Sequence, residues 1–172
     1  VIVDADTVAH PDFLLEIHRE FERGAHVVQG DYGVLDPGQS TAVGLRFAAL
    51  ACRHRLRPLG RAELGCSCGL YGNGMAFRNE VVADRDWSGH LVEDAEFQYE
   101  LLLDGIVVAY APAARIEAEM PTSLEGSVTQ HQRWELGRAQ LIKRFVPQLA
   151  RAAVRPPAGA SRRIYVDAVL DL

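Results

Sequence analysis

Long apolar runs, cysteine pairs and an excess of positive charge are all missing from these 172 residues. No stretch reaches the roughly 18 apolar residues that a membrane-spanning helix requires. The longest, Ile106 to Ala114, is half that and contains Pro112. The start, Val1-Ile2-Val3-Asp4-Ala5-Asp6, has neither the basic segment nor the hydrophobic segment of a secretory signal. It also lacks an initiator methionine, and an opening in mid-strand predicts an upstream partner segment. A net charge of -5 and a pI near 5.7 argue against a general nucleic-acid binder, whose footprint is basic. The three cysteines, Cys52, Cys66 and Cys68, are odd in number, and no nearby histidine completes a zinc site. Buried free thiols in a reducing compartment are expected instead.

What is present is globular: 48% hydrophobic and 24% charged residues, in a length that suits one domain or part of one. Charge is uneven. Arg133 to Arg163 holds eight basic residues against Glu135 alone, so this segment carries +7 and the remainder -12. A basic stretch on an acidic body suits contact with an anionic surface or with phosphates, and equally a solvated helical face.

Val1-Ile2-Val3 reads as a buried strand leading into a loop. A helix starts at His10-Pro11, with Pro11 at its first position and Phe13, Leu14, Ile17 and Phe21 on one side, stopped by Gly24. Ala25 to Gln29 is a second strand and Gly30 to Gln39 a loop. A helix from Thr41 to Arg57 carries Val43, Phe47, Leu50 and His54 on one face. A glycine-rich segment, Gly65 to Gly74, precedes a strand at Met75–Arg78. Leu91 to Leu103 is helical, with an acidic first turn and Gly105 after it. Two strands, 106–110 and 115–119, are separated by Pro112. The pattern from Ser123 to Phe145 is helical, Pro147 bends or ends that helix, and an apolar helix starts at Tyr165. Strands alternating with helices predict an α/β fold.

Three groups of residues carry chemistry. Asp4 and Asp6 follow a strand, and ligands of open α/β sheets bind outside the carboxyl ends of strands. Two carboxylates there offer hard oxygen ligands for Mg²⁺ or Mn²⁺, which can in turn hold a diphosphate. Alone, they are equally a solvated capping loop. Glu93 and Asp94 at a helix start supply a candidate base, which the helix dipole should keep ionised. Gln130, Arg133 and Trp134, at i, i+3 and i+4, share one helix face. An amide, a guanidinium and an indole together can hold a diphosphate and present a flat face to a sugar ring. An interface helix would use the same residues without catalysis. Asp4-Ala5-Asp6-Thr7-Val8 also matches the opening motif of haloacid-dehalogenase-like phosphohydrolases. The only lysine, Lys143, lies beyond the only adjacent acidic pair, the wrong order for that chemistry.

In this order, Asp4-x-Asp6, Gly72-Asn73-Gly74-Met75-Ala76-Phe77-Arg78, Glu93-Asp94 and Gln130-x-x-Arg133-Trp134 resemble family 2 glycosyltransferases. The resemblance is nearest to the membrane-embedded processive branch with the cellulose and hyaluronan synthases, which residues 119–126 also resemble. It covers residues 1–145, with Val92 where the family often has Thr or Gly.

The resemblance implies the C-terminal half of a GT-A domain over residues 1–122. Residues 123–172 would be interfacial helices leading towards a transmembrane region. It implies inverting, metal-dependent transfer from a nucleotide sugar, of the UDP kind, to a glycan or lipid acceptor at the cytoplasmic face of an inner membrane, with no nucleic acid. Asp4 and Asp6 would hold the metal and diphosphate, Gln130 and Arg133 would reach the diphosphate, and Asp94, with Glu93 beside it, would be the base. Trp134 would floor the acceptor site, which Gly72, Asn73 and Gly74 would approach through backbone. A catalytically silent, ligand-sensing paralogue is the alternative.

Overall fold

The computed structural model describes residues 1–83, 85, 92–119 and 124–172, with backbone alone for residue 42 and residues 124–133. Among these residues four strands form one mixed sheet in the order β1-β4-β2-β3: β1 (Thr7–Ala9), β2 (Val27–Val34), β3 (Met75–Phe77) and β4 (Val108–Ala118). The central pair, β2 and β4, is parallel and the two outer pairings are antiparallel. Among the described residues seven helices accompany it: α1 (Phe13–Glu22), α2 (Thr41–Ala51), α3 (Arg57–Glu63), α4 (Asn79–Val82), α5 (Glu93–Leu103), α6 (Leu124–Val154) and α7 (Arg162–Asp171). A π-helical turn, Cys52–Leu56, joins α2 to α3.

Strand alternation sets the two faces of the sheet. Val27, Met75, Val108 and Tyr110 point to one face and pack with Leu70, Phe97 and Leu101. Val28, Ala76 and Ala111 point to the other and are covered by Phe13 and Ile17 of α1. A third cluster joins Tyr99 and Leu102 of α5 to Leu141, Phe145 and Leu149 of α6 and to Ile164, Tyr165 and Ala168 of α7. The layering is the expected α/β one.

Several local expectations are corrected. Val1-Ile2-Val3 is not a buried strand: Val1 is 62% exposed and only Ile2 bridges Met75. The turn at Asp4–Thr7, closed by the Thr7 amide on the Asp4 carbonyl, interrupts the run, and pairing with β4 begins at Thr7. The second strand does not stop at Gln29, because parallel bonds to β4 carry it through Gly33 to Val34. Gly30 suits that strand, since a Cβ there would sit 2.8 Å from the Ala114 carbonyl oxygen. Pro112 does not divide β4, because the register steps from Gly30↔Ala111 to Asp31↔Arg115 and the extra residues bulge out. A bulge needs no amide from proline. Pro147 lies inside α6 and does not end it. The helix from Thr41 continues past Arg57 to Glu63 through the π turn. Cys66 and Cys68 are buried free thiols, but Cys52 is exposed.

Candidate functional site

Two loops and one helix start meet at the beginnings of β1 and β3. Asn73 makes the junction. It is buried, its Oδ1 accepts from the Asp4 amide at 3.2 Å, and its Nδ2 donates to the Thr7 hydroxyl at 2.7 Å. The turn that holds Asn73 is shaped by Gly72 (φ 76°) and Gly74 (φ 69°), in the left-handed region that favours glycine. Gln29, buried on β2, fastens the same turn. Its Nε2 donates to the Asn73 carbonyl at 2.8 Å and its Oε1 accepts from the Tyr71 amide at 3.1 Å.

Across this turn lies Asp94. A Cβ on Gly72 would be 3.5 Å from Asp94 Oδ2, so the glycine face borders the carboxylate directly. Asp94 Oδ1 accepts the Ala95 amide at 2.8 Å in the first turn of α5. The helix start was expected to keep this carboxyl readily ionised. Instead its pKa is raised: burial outweighs the hydrogen bond from Ala95, the neighbouring Glu93 adds to the rise, and Arg53 opposes it. A carboxylate destabilised in this way is a stronger base than an exposed aspartate.

The Asp4 pKa is raised too, first by burial and then by the Asp6 charge. Two hard carboxylates that repel one another suit a divalent cation, and Mg²⁺ commonly takes one or two carboxylates and completes its shell from phosphates and water. Among the described residues no group of three or more His, Cys, Asp or Glu stands ready to enclose a metal alone. Asp4 and Asp6 are the residues that could hold one.

Other residues of the site carry weak sequence signals. The Tyr32 phenol lies beside the acidic loop: burial raises its pKa first, the Asn73 side chain lowers it, and Asp4 and Asp6 raise it. His54 is stacked between Tyr32 and Tyr71, with ring centroids 5.1 and 4.3 Å away. It is 7% exposed, and among the described residues its Nδ1 has no hydrogen-bond partner. Burial, with Arg53 adding to it, pushes its pKa down to about 4. The π turn presents Arg53 and His54 together, and the Tyr71 hydroxyl donates to the Arg53 carbonyl at 3.3 Å. The signals for these residues were a glutamine in an apolar strand and an arginine-rich helix without acids.

Asp4, Asp6, Gly72, Asn73, Gly74, Glu93 and Asp94 thus stand together. The Asn73 side chain is occupied in holding the aspartate loop. Gly74 has a packing reason, because a Cβ there would meet Ile116 Cδ1 at 2.5 Å. Arg78 donates to the Phe21 and Ala25 carbonyls and so ties down the end of α1. Trp134, on α6, is 46% exposed. The side chains of Gln130 and Arg133, and residues 120–123, lie outside the described residues.

Several basic side chains of this segment stay exposed but find partners within the chain. Arg144 pairs with Glu96 and Glu100, Arg138 donates to the Asp171 and Leu172 carbonyls, and Arg162 and Arg163 donate to the Val154 and Leu64 carbonyls. Among the described residues no helix is long and apolar enough to cross a membrane.

Known proteins resemble this chain in sequence. The sequence family described as "Glycosyl transferase family group 2" matches residues 1–163. The chain is 25% identical over 158 residues to glucomannan 4-beta-mannosyltransferase 7 of Arabidopsis thaliana, covering 88% of this chain and 28% of that protein. It therefore spans little more than a quarter of the length of that relative. With its curled mixed sheet as a partial GT-A fold, the chain belongs to glycosyl transferase family group 2.

Proposed function

We propose that this chain is the acceptor-side half of a metal-dependent, inverting glycosyltransferase that moves a hexose from a nucleotide sugar, of the UDP kind, to a glycan or lipid acceptor. The observation that carries the reading is the convergence on one turn: Asn73 holds the Asp4 loop on one side, and Gly72 borders Asp94 on the other. The family match supports it, and so does similarity to a protein named as a mannosyltransferase.

Asp4 and Asp6 hold Mg²⁺ or Mn²⁺, which when bound neutralises the charge of the leaving diphosphate. Asp94 takes the proton from the acceptor hydroxyl, and its burial suits that role because a base is effective when its pKa approaches the working pH. Glu93 sustains the high proton affinity of Asp94. Gln130 and Arg133 contact the diphosphate, and Trp134 gives the acceptor ring an apolar floor. The whole protein belongs, in this reading, to the processive membrane-bound branch and works at the cytoplasmic face of an inner membrane.

The experiment uses the full-length protein in membrane vesicles with labelled nucleotide sugars and Mg²⁺ or Mn²⁺, wild type beside Asp94→Asn. Label entering polymer or lipid with wild type alone supports the reading. Nucleotide bound without incorporation from any donor would replace it with a ligand-sensing role.

A further inference from the structure

Gly137 lies on α6, one helical turn past Trp134. A Cβ at this position would fall 2.6 and 2.7 Å from the two γ carbons of Val92, and 3.2 Å from its Cβ. Carbon atoms attract at about 3.5–4.0 Å and repel well inside that distance, so α6 approaches Val92 this closely because residue 137 has no side chain. Val92 immediately precedes Glu93 and Asp94, and its carbonyl accepts the Glu96 amide at 3.0 Å. It is therefore rigidly part of the turn that aims Asp94. Further along the same face, Arg144 pairs with Glu96 and Glu100, and Leu141 and Phe145 pack with Tyr99 and Leu102. With those contacts fixing α6 along α5, the Val92–Gly137 contact fixes how close the two come.

From this contact we infer that Gly137 is a positioning residue, whose missing side chain sets the spacing between the Glu93-Asp94 turn and the helix bearing Gln130, Arg133 and Trp134. The inference rests on the glycosyl-transfer reading above. A methyl group at 137 displaces α6 from Val92, and so moves the acceptor floor relative to the base. Misplacement of about 1 Å can cost about 100-fold in rate. Helix propensity argues the opposite way, since alanine in a helix interior is more favourable than glycine by roughly 1 kcal/mol. The two effects therefore predict opposite signs for one substitution.

The test compares wild type, Gly137→Ala and Val92→Ala/Gly137→Ala in full-length protein. It reads sugar incorporation per folded protein, UDP binding and thermal midpoint. The expected result is a loss of turnover of about 10- to 100-fold in Gly137→Ala. Its UDP affinity should fall as well, because α6 also carries Gln130 and Arg133, its midpoint should fall, and the double variant should regain rate, affinity and midpoint. A wild-type rate in Gly137→Ala, or a loss that Val92→Ala does not relieve, would overturn the inference. If wild type itself transfers no sugar, the functional reading fails separately. The midpoints then decide the contact: a fall relieved by Val92→Ala upholds it, and a rise in Gly137→Ala refutes it.

Discussion

Asn73 grips the loop of Asp4 at two points: its Oδ1 accepts the Asp4 amide at 3.2 Å while its Nδ2 donates to the Thr7 hydroxyl at 2.7 Å. Residues 69 apart in sequence are thereby one piece of structure, and the aspartate loop takes its shape from the turn that borders Asp94.

Replacing Asn73 by alanine leaves the Asp4 amide and Thr7 hydroxyl without their partner. Both hydrogen bonds are part-buried and water can reach the groups left behind, so each is worth about 0.5–1.5 kcal/mol. Asn73→Ala is expected to lower the thermal midpoint by several degrees and to weaken metal-dependent nucleotide binding. Melting curves and nucleotide titration with and without Mg²⁺ check this, and unchanged binding would detach Asn73 from the acidic loop.

Gly74 combines a positive φ with a Cβ position 2.5 Å from Ile116 Cδ1. Backbone strain and overpacking each cost about 1–3 kcal/mol. Gly74→Ala should therefore be clearly destabilising in a thermal melt, and more so than Gly24→Ala, where nothing lies within 4 Å of the added carbon.

Arg61, buried, bonds Asp171 at 2.8 Å and also pairs with Asp167, while Arg57 pairs with Asp171. Arg61 keeps Asp167 when Asp171 is removed, so the cost falls below the about 3–5 kcal/mol of a fully stranded buried charge. Asp171→Ala should loosen α7 from α3. Hydrogen exchange across residues 162–171 reads this directly, and unchanged protection there would count against the clamp.

His54 makes stability depend on pH. Its pKa is lowered from 6.5 to about 4 by folding, so the unfolded chain takes up the proton first. The contribution is fully present above about 6.5 and is lost as pH falls towards about 4, by at most about 3 kcal/mol. The thermal midpoint of wild type should fall across that window. His54→Phe, which keeps a ring between Tyr32 and Tyr71, should show a flatter profile, and parallel curves would exclude His54 as the cause.

Under the proposed reaction, Asp94→Asn should reduce turnover at least about 100-fold, the usual scale of general base catalysis, with nucleotide affinity unchanged. Because burial raises the Asp94 pKa above 3.8, the acid limb of the activity profile should lie above the ordinary aspartate range. Trp134→Ala should impair acceptor use more than donor binding.

The sequence by itself determined the α/β class, the helices with strong periodicity and caps, and the motif residues, because residue type and local spacing carry that information. Asp4-x-Asp6, the glycine turn and Glu93-Asp94 were legible for this reason. Tertiary structure decided where strands end: β2 runs through glycines and β4 past Pro112 because partner strands supply the bonds that local propensity does not. It also decided that Asp94 binds its proton more tightly than an exposed aspartate, since burial is a property of the packed chain. The direction of the basic side chains was likewise open until α7 and α5 offered Arg138 and Arg144 their partners. The role of Gly137 was hidden most completely, because a glycine inside a helix signals only a loss of propensity until the neighbour occupying its missing side chain is known.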